Sequence, residues 1–148
     1  MRIAIGNDHA GFEMKAQLSD FIESLGHEVE DLGCYSSDRV DYPDYAAKVG
    51  HTVMAGDADM GILICGTGIG MCIAANKVHG IRAANVTNPE IAPFARAHNN
   101  ANVLTLSARF VDVDTNKEII KRFLETDFEG GRHAGRVDKI SALDDERL

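Results

Sequence analysis

The stretch Ile62-Leu63-Ile64-Cys65-Gly66-Thr67-Gly68-Ile69-Gly70 decides how the chain is read. Its first part is an apolar, β-branched run and predicts a buried strand. A cysteine ends the run, and a loop with three glycines in five residues follows. Met71-Cys72-Ile73-Ala74-Ala75 then predicts a helix that reaches about Val78. Strand, glycine-rich loop and helix together aim free backbone N–H groups at an anion. A thiol at the strand end stands where a helix N-terminus favours the thiolate. Two plainer readings fit the same residues: cysteine is often a small buried hydrophobe, and glycine serves any tight turn. The spacing is G-x-G-x-G, not the dinucleotide fingerprint G-x-G-x-x-G, and no lysine closes the loop as in a Walker P-loop. Met71 stands six residues after Cys65, where a cysteine-dependent phosphatase needs arginine. The loop therefore points to a small anionic molecule.

Strands and helices alternate on both sides of this stretch. Arg2–Gly6 predicts a first strand, followed by the polar loop Asn7-Asp8-His9-Ala10-Gly11. Met14, Leu18, Phe21, Ile22 and Leu25 lie on one face of a helix that Gly26 ends. Val29 and Leu32 mark a short strand, and the polar loop Gly33 to Pro43 is long enough to wall a site. Tyr45, Val49 and Val53 predict a second helix closed near Gly56. Beyond the central loop, Ile81 to Val86 predicts a strand and Thr87-Asn88-Pro89 a helix start. Val103–Leu106 predicts another strand, and a helix runs from roughly Thr115 to Thr126. After Gly130-Gly131 come a basic patch, Arg132 to Lys139, and a helical tail that is acidic near its end. The alternation predicts an α/β chain: a three-layer α/β/α, Rossmann-like fold around a parallel sheet of about five strands. In such sheets the site lies at the carboxyl ends of the strands. Asp8-His9, Cys65 to Gly70, Asn85 to Asn88 and Ser107 to Arg109 all follow strands and so share one rim.

The chain has 148 residues, read as one domain over 1–148. No apolar run approaches a membrane span, and a chain that begins at once with a strand predicts no signal peptide. Cys34, Cys65 and Cys72 contain no C-x-x-C pair, which argues against a disulfide framework or a zinc site and favours a reducing cytoplasm. A net charge of −8 argues against nucleic acid as a partner. An anionic substrate then needs a local basic cluster. Arg109, Arg132 and Arg136 supply one, since guanidinium forks match phosphate geometry. Asp8 is either an N-cap or a hydrogen-bonding partner for a polar ligand, and His9 is either solvated or a ligand contact. His98 and Asn99 suit a helix end equally well, although a histidine there can also carry a proton to or from a hydroxyl. No metal-binding motif is present. A thiol, an N–H cradle, a histidine and an arginine clamp suit proton transfer beside the carbonyl of a small phosphorylated molecule.

These motifs resemble the type B ribose-5-phosphate isomerases, within the wider family that includes galactose-6-phosphate isomerase subunits. The resemblance rests on Gly6-Asn7-Asp8-His9-Ala10-Gly11-Phe12, Asp41-Tyr42-Pro43, Gly61 to Gly70 and Ala74-Ala75-Asn76-Lys77. It continues through Gly80-Ile81-Arg82-Ala83, His98 to Val103 and Glu129 to His133, nearly the whole chain. It implies an aldose–ketose isomerase that interconverts ribose 5-phosphate and ribulose 5-phosphate through an enediolate, with no metal or organic cofactor. It casts Cys65 as the base between C2 and C1, Thr67 as its support and His98 as the residue that helps open the furanose ring. Asp8 and His9 match substrate-binding positions. Gly66, Thr67, Gly68, Ile69, Gly70 and Asn99 match the anion hole, and Arg109, Arg132 and Arg136 the phosphate site. One branch of the family uses a later glutamate as base; cysteine at 65 and Ala74-Ala75 place this chain with the cysteine branch. The resemblance also implies a homodimer, or a pair of dimers, whose site takes part of its residues from the neighbouring subunit. The helical tail, about 138–148, is then expected to pack on that partner. The nearest alternative substrates are galactose 6-phosphate, allose 6-phosphate or a tetrulose phosphate. A hydrolase with Cys65 as nucleophile and a nucleotide-sensing module are the rivals from other classes.

Overall fold

Residues along each central strand alternate between two apolar layers, as the period of a strand requires. In the computed structural model, which describes residues 1–147, the strands are β1 (Arg2–Asn7), β2 (Glu28–Asp31), β3 (Met60–Cys65), β4 (Ala83–Asn85) and β5 (Val103–Ser107). They form one sheet in the order β2-β1-β3-β5-β4, and every pairing is parallel. The helices are α1 (Phe12–Ser24), α2 (Tyr42–Met54), α3 (Ile69–Ala75), α4 (Ala92–Ala97), α5 (Val113–Leu124) and α6 (Ala134–Ala142). Ile3, Ile5, Ile62, Ile64, Leu104 and Leu106 face the layer that contains Leu18 and Ile22 of α1 and Ile120 and Phe123 of α5. Ala4, Leu63, Cys65 and Val103 face the opposite layer, against Ala46 and Val49 of α2 and Met71 and Ala75 of α3. The expected three-layer α/β/α architecture is the observed one.

The strand order places the site. From β1 the chain moves outward to β2, then returns to the other side of β1 for β3. The crevice at such a reversal, beyond the carboxyl ends of the strands, is where open parallel sheets bind ligands. Asp8 follows β1 and Gly66 follows β3, so both stand at that point. Among the described residues no helix is long and apolar enough to cross a membrane.

Four local expectations need correction. The helix after the central loop begins at Ile69 and ends at Ala75, short of Val78. Its C-terminal neighbour Asn76 explains the end: its side chain accepts from the Ala83 N–H at 2.8 Å and donates to the Ala83 carbonyl at 3.0 Å. Asn76 is thus tied to the start of β4. That strand spans three residues, not Ile81 to Val86, because only Ala83–Asn85 pair with β5 at the sheet edge. Thr87-Asn88-Pro89 starts no helix; the Asn88 side chain accepts from the Glu90 N–H at 2.8 Å and makes a turn. The helix begins at Ala92, with Pro93 rather than Pro89 in its first turn. Finally, Tyr42 and Pro43 belong to α2, so the polar loop ends at Asp41. The tail continues α6 as a 3-10 turn over Leu143–Arg147, and the Asp144 carboxylate accepts from the Gly80 N–H at 2.8 Å. Leu148, the end of the predicted tail, lies outside the described residues.

Candidate active site

Cys65 is the last residue of β3 and is 5% exposed. The Gly68 N–H donates to its sulfur at 3.1 Å. The loop is tied to the next strand end: the Cys65 carbonyl accepts from the Ala108 N–H at 2.9 Å, and the Gly66 carbonyl from the Arg109 N–H at 3.0 Å. Ser107 adds its hydroxyl to the Gly66 carbonyl at 2.7 Å. Thr67 Oγ1 accepts from the Ile69 N–H at 3.1 Å and so caps the turn. Since α3 has only seven residues, the field of a long helix contributes little here, and the individual N–H groups of the loop carry the electrostatics.

The glycines of this loop are required by what lies against them. Gly68 has φ +80°, and a Cβ there would run into Asn85 Oδ1 and stand 3.1 Å from the Leu106 carbonyl oxygen. A Cβ on Gly66 would meet the Arg109 guanidinium at 3.1 Å, so the arginine lies directly over the loop. One on Gly70 would stand 2.7 Å from the Tyr42 ring. Gly68→Ala is therefore expected to cost about 1–2 kcal/mol from the left-handed backbone alone. It is also expected to pull the Gly68 N–H off the sulfur. Urea melts and turnover check this, and a variant equal to wild type in both would contradict the tight-loop geometry.

Asp8, Cys65, Gly66, Thr67, Ile69 and Gly70 line a solvent-open cleft of about 390 Å³, closed on its sides by Tyr42, Ile73 and Arg109. This volume suits a small ligand. A cavity of similar size, about 420 Å³, lies beside Lys15. Its ammonium is already bound to Asp31 at 3.0 Å and to the Cys34 carbonyl at 2.6 Å. The N-cap reading of Asp8 is the observed one. Its carboxylate accepts from the Ala10 and Gly11 N–H groups at 2.9 and 3.3 Å as an N-cap, and it also lines the cleft. His9 does not line it. Its Nδ1 accepts from the Val40 N–H at 3.2 Å, which pins the loop before α2 and leaves Nε2 as the protonated nitrogen of the neutral ring.

The remaining predicted residues gather elsewhere. His98 caps α4. Its ring stacks on that of His133, with centroids 4.2 Å apart and planes 14° from parallel. Glu129 lies beside the stack, its carboxylate 3.3 Å from His133 Nε2 and 4.0 Å from His98 Nε2. Arg132 Nε reaches His133 Nε2 at 3.4 Å. Asn99 lines a separate cavity of about 220 Å³ with Arg82 and Ile140. Arg136 is exposed on α6. Within one chain, then, the cleft holds Cys65, its loop, Asp8 and Arg109, while His98, Asn99, Arg132 and Arg136 line no part of it. His98, Glu129 and His133 offer three ligand atoms within 4.8 Å of one another. Each imidazole lone pair lies in its ring plane, however, and two nearly parallel rings do not aim at one ion. Burial pushes the Cys72 thiol up, against hydrogen bonds from Thr105 and the Asn85 backbone.

Tyr42 and Ile73 are cleft residues that the sequence reading did not single out. Tyr42 carried two signals, its place at the end of a loop long enough to wall a site and its place in the motif Asp41-Tyr42-Pro43. Ile69 and Ile73 on the rim are 54% and 60% exposed, unusual for isoleucine beside a polar cleft.

A parallel α/β sheet with a thiol in an N–H cradle at its switch point defines a site for small anionic substrates. The chain belongs to the ribose/galactose isomerase family, whose model matches residues 3–140. It is 45% identical over 146 residues to ribose-5-phosphate isomerase B of Escherichia coli, covering 99% of this chain and 98% of that one. The structure superposes on ribose-5-phosphate isomerase B of Clostridium thermocellum with a TM-score of 0.98 at 47% identity, covering all of both chains. The Mycoplasma genitalium ribose-5-phosphate isomerase B, solved with bound ribulose 5-phosphate, superposes with a TM-score of 0.93 at 47% identity, covering 98% and 97%. The resemblance drawn from the motifs is borne out at the level of the family and the fold.

Proposed function

We propose that this chain interconverts ribose 5-phosphate and ribulose 5-phosphate, with Cys65 as the base and no metal. The observation that carries the reading is the Gly68 N–H held 3.1 Å from the Cys65 sulfur inside a cleft of sugar-phosphate size. That donor aims the sulfur's lone pairs into the cleft, and the loop N–H groups beside it suit an oxyanion. In the open-chain aldose the thiolate takes the C2 proton. The C2–H electron pair forms the C1–C2 double bond, and the carbonyl pair moves to O1. The O2 proton then passes to O1, C2=O2 forms, and the thiol returns its proton to C1. Thr67 holds the turn that aims the Gly68 donor. Before this, His98 protonates the ring oxygen as the C1–O4 bond breaks, and the anomeric hydroxyl gives its proton to water.

A single chain leaves His98, Asn99, Arg132 and Arg136 outside the cleft, which supports a site completed by a second copy. In this reading the enzyme is a homodimer or a pair of dimers. Exposed Ile69, Ile73 and Phe94, together with Ile140 and Leu143 of the tail, are the apolar residues such an interface would cover. Arg132 and Arg136 of the second copy, with Arg109, take the phosphate; Asn99 joins the anion hole. A catalytic thiol needs a reducing compartment, which supports the cytoplasm. The same chemistry on galactose 6-phosphate, allose 6-phosphate or a tetrulose phosphate is the second reading, favoured by a family that spans ribose and galactose isomerases. The test is turnover of ribose 5-phosphate by chelator-treated protein. Undiminished turnover is expected. Activity that dies with the chelator would contradict the metal-free mechanism, and no activity would move the search to hexose and tetrose phosphates.

A further inference from the structure

One buried titratable side chain has no task in the reaction so far. His133 is 5% exposed, the last residue of a 3-10 turn over Gly131–His133. Two consecutive glycines with positive φ, Gly130 at +65° and Gly131 at +52°, fold the chain into that turn. The turn sets the His133 ring flat on His98, with centroids 4.2 Å apart. The Phe94 ring also packs on His98, at 5.0 Å and tilted by 49°. His98 thus has two aromatic neighbours and little freedom of ring rotation. Glu129 is fixed beside them by its own backbone: its N–H donates to the Ala97 carbonyl at 3.1 Å, one residue before His98. Its carboxylate sits 3.3 Å from His133 Nε2, the nitrogen that accepts from the Arg132 Nε–H at 3.4 Å, and 4.0 Å from His98 Nε2. A core that needed only volume here would be filled by an apolar side chain rather than by a buried imidazole.

We infer that His133 and Glu129 are positioning residues for His98: the stacked ring fixes the plane of the proton-donating imidazole, and the Glu129 carboxylate, anchored through its backbone bond to Ala97, stands where a protonated His98 can use it. The inference rests on the ring-opening reading of His98 given above. The step served is the one already described. The C1–O4 bond breaks with its electron pair moving to O4, O4 takes the proton from His98, and the anomeric O–H pair forms C1=O1 as its proton leaves to water. Misaligning a proton donor by an ångström costs about 10- to 100-fold.

The test separates ring chemistry from enediolate chemistry. Ribulose 5-phosphate has its C5 hydroxyl esterified and stays open-chain, so solvent deuterium washed into its C1 reports the Cys65 step alone. Wild type, His98→Asn, His133→Leu, Glu129→Gln and the His98→Asn/His133→Leu double variant are compared for conversion of ribose 5-phosphate, C1 wash-in and melting temperature. The ratio of wash-in to conversion is expected to rise about tenfold or more in each single variant, and the double variant to be no worse than His98→Asn. Glu129 is exposed, so Glu129→Gln keeps the test open if His133→Leu does not fold. A raised ratio in His98→Asn with wild-type ratios in His133→Leu and Glu129→Gln would overturn the positioning role alone. A wild-type ratio in His98→Asn would overturn the ring-opening reading, and this inference with it. Wash-in and conversion falling together in the His133 and Glu129 variants, with a lowered melting temperature, would show a merely structural role and overturn the inference.

Discussion

Cys65→Ala is expected to fold and to lose interconversion of ribose 5-phosphate and ribulose 5-phosphate by about 10²–10⁴-fold, the usual worth of a positioned general base. The fold should survive because the change removes one sulfur from an apolar cluster that Val49, Leu63 and Met71 still fill. The pairing of Cys65 with Ser107 of β5 is made by backbone groups that alanine retains. Cys65→Ser is the sharper variant. It keeps an acceptor for the Gly68 N–H but replaces a titratable thiol by a hydroxyl that does not ionise near neutrality. It should fold and be nearly as inactive. Coupled assay of both directions, with a thermal melt of each variant, checks this. Near wild-type turnover in Cys65→Ala would remove Cys65 from the mechanism.

Arg132→Ala and Arg136→Ala are each expected to raise KM for ribose 5-phosphate by about 10- to 150-fold, from about 1.5–3 kcal/mol per charge-assisted hydrogen bond. Both side chains are exposed in a single chain, so folding should not suffer. The phosphate is remote from C1 and C2. Contacts to it bind the ground and transition states nearly alike, so kcat should fall less than KM rises. Arg132 should show the larger fall in kcat of the two, because its Nε also contacts His133 beside His98. Steady-state kinetics with ribose 5-phosphate and competition by inorganic phosphate measure the split. Unchanged KM in both variants would rule out the arginine clamp.

Much of this arrangement is readable from the chain because parallel sheets are strongly constrained. Ile3, Ile5, Ile62 and Ile64 announce buried strands, and strands separated by helices must run parallel. Once the strands are parallel, Asp8, Cys65 and Arg109 must share a rim, whatever their separation in sequence. What local pattern does not encode is which rim residues face one cleft. The stack of His98 on His133 joins the end of α4 to a turn some thirty residues later, a tertiary contact with no periodic signal. Tyr42 enters the cleft because Gly70 leaves room for its ring, a pairing seen only once α2 and the loop are placed together. The shortened α3 has a similar origin: the residues after Ala75 satisfy helix propensity, but the Asn76 side chain holds the chain to β4 through both backbone groups of Ala83. Pro89 and Pro93 both suit a first helical turn, and the Asn88 turn decides between them.

In the proposed enzyme, Cys65 of one chain and His98 of another act on one substrate. Subunit complementation tests it most directly. Cys65→Ala and His98→Asn are co-expressed with different affinity tags, and the mixed species is compared with each parent. Random pairing makes half of the dimers mixed, and each mixed dimer has one site with both residues intact, so the pool should regain about a quarter of wild-type activity. Purified mixed dimers as inactive as their parents would contradict the shared site and would require both residues to act within a single chain.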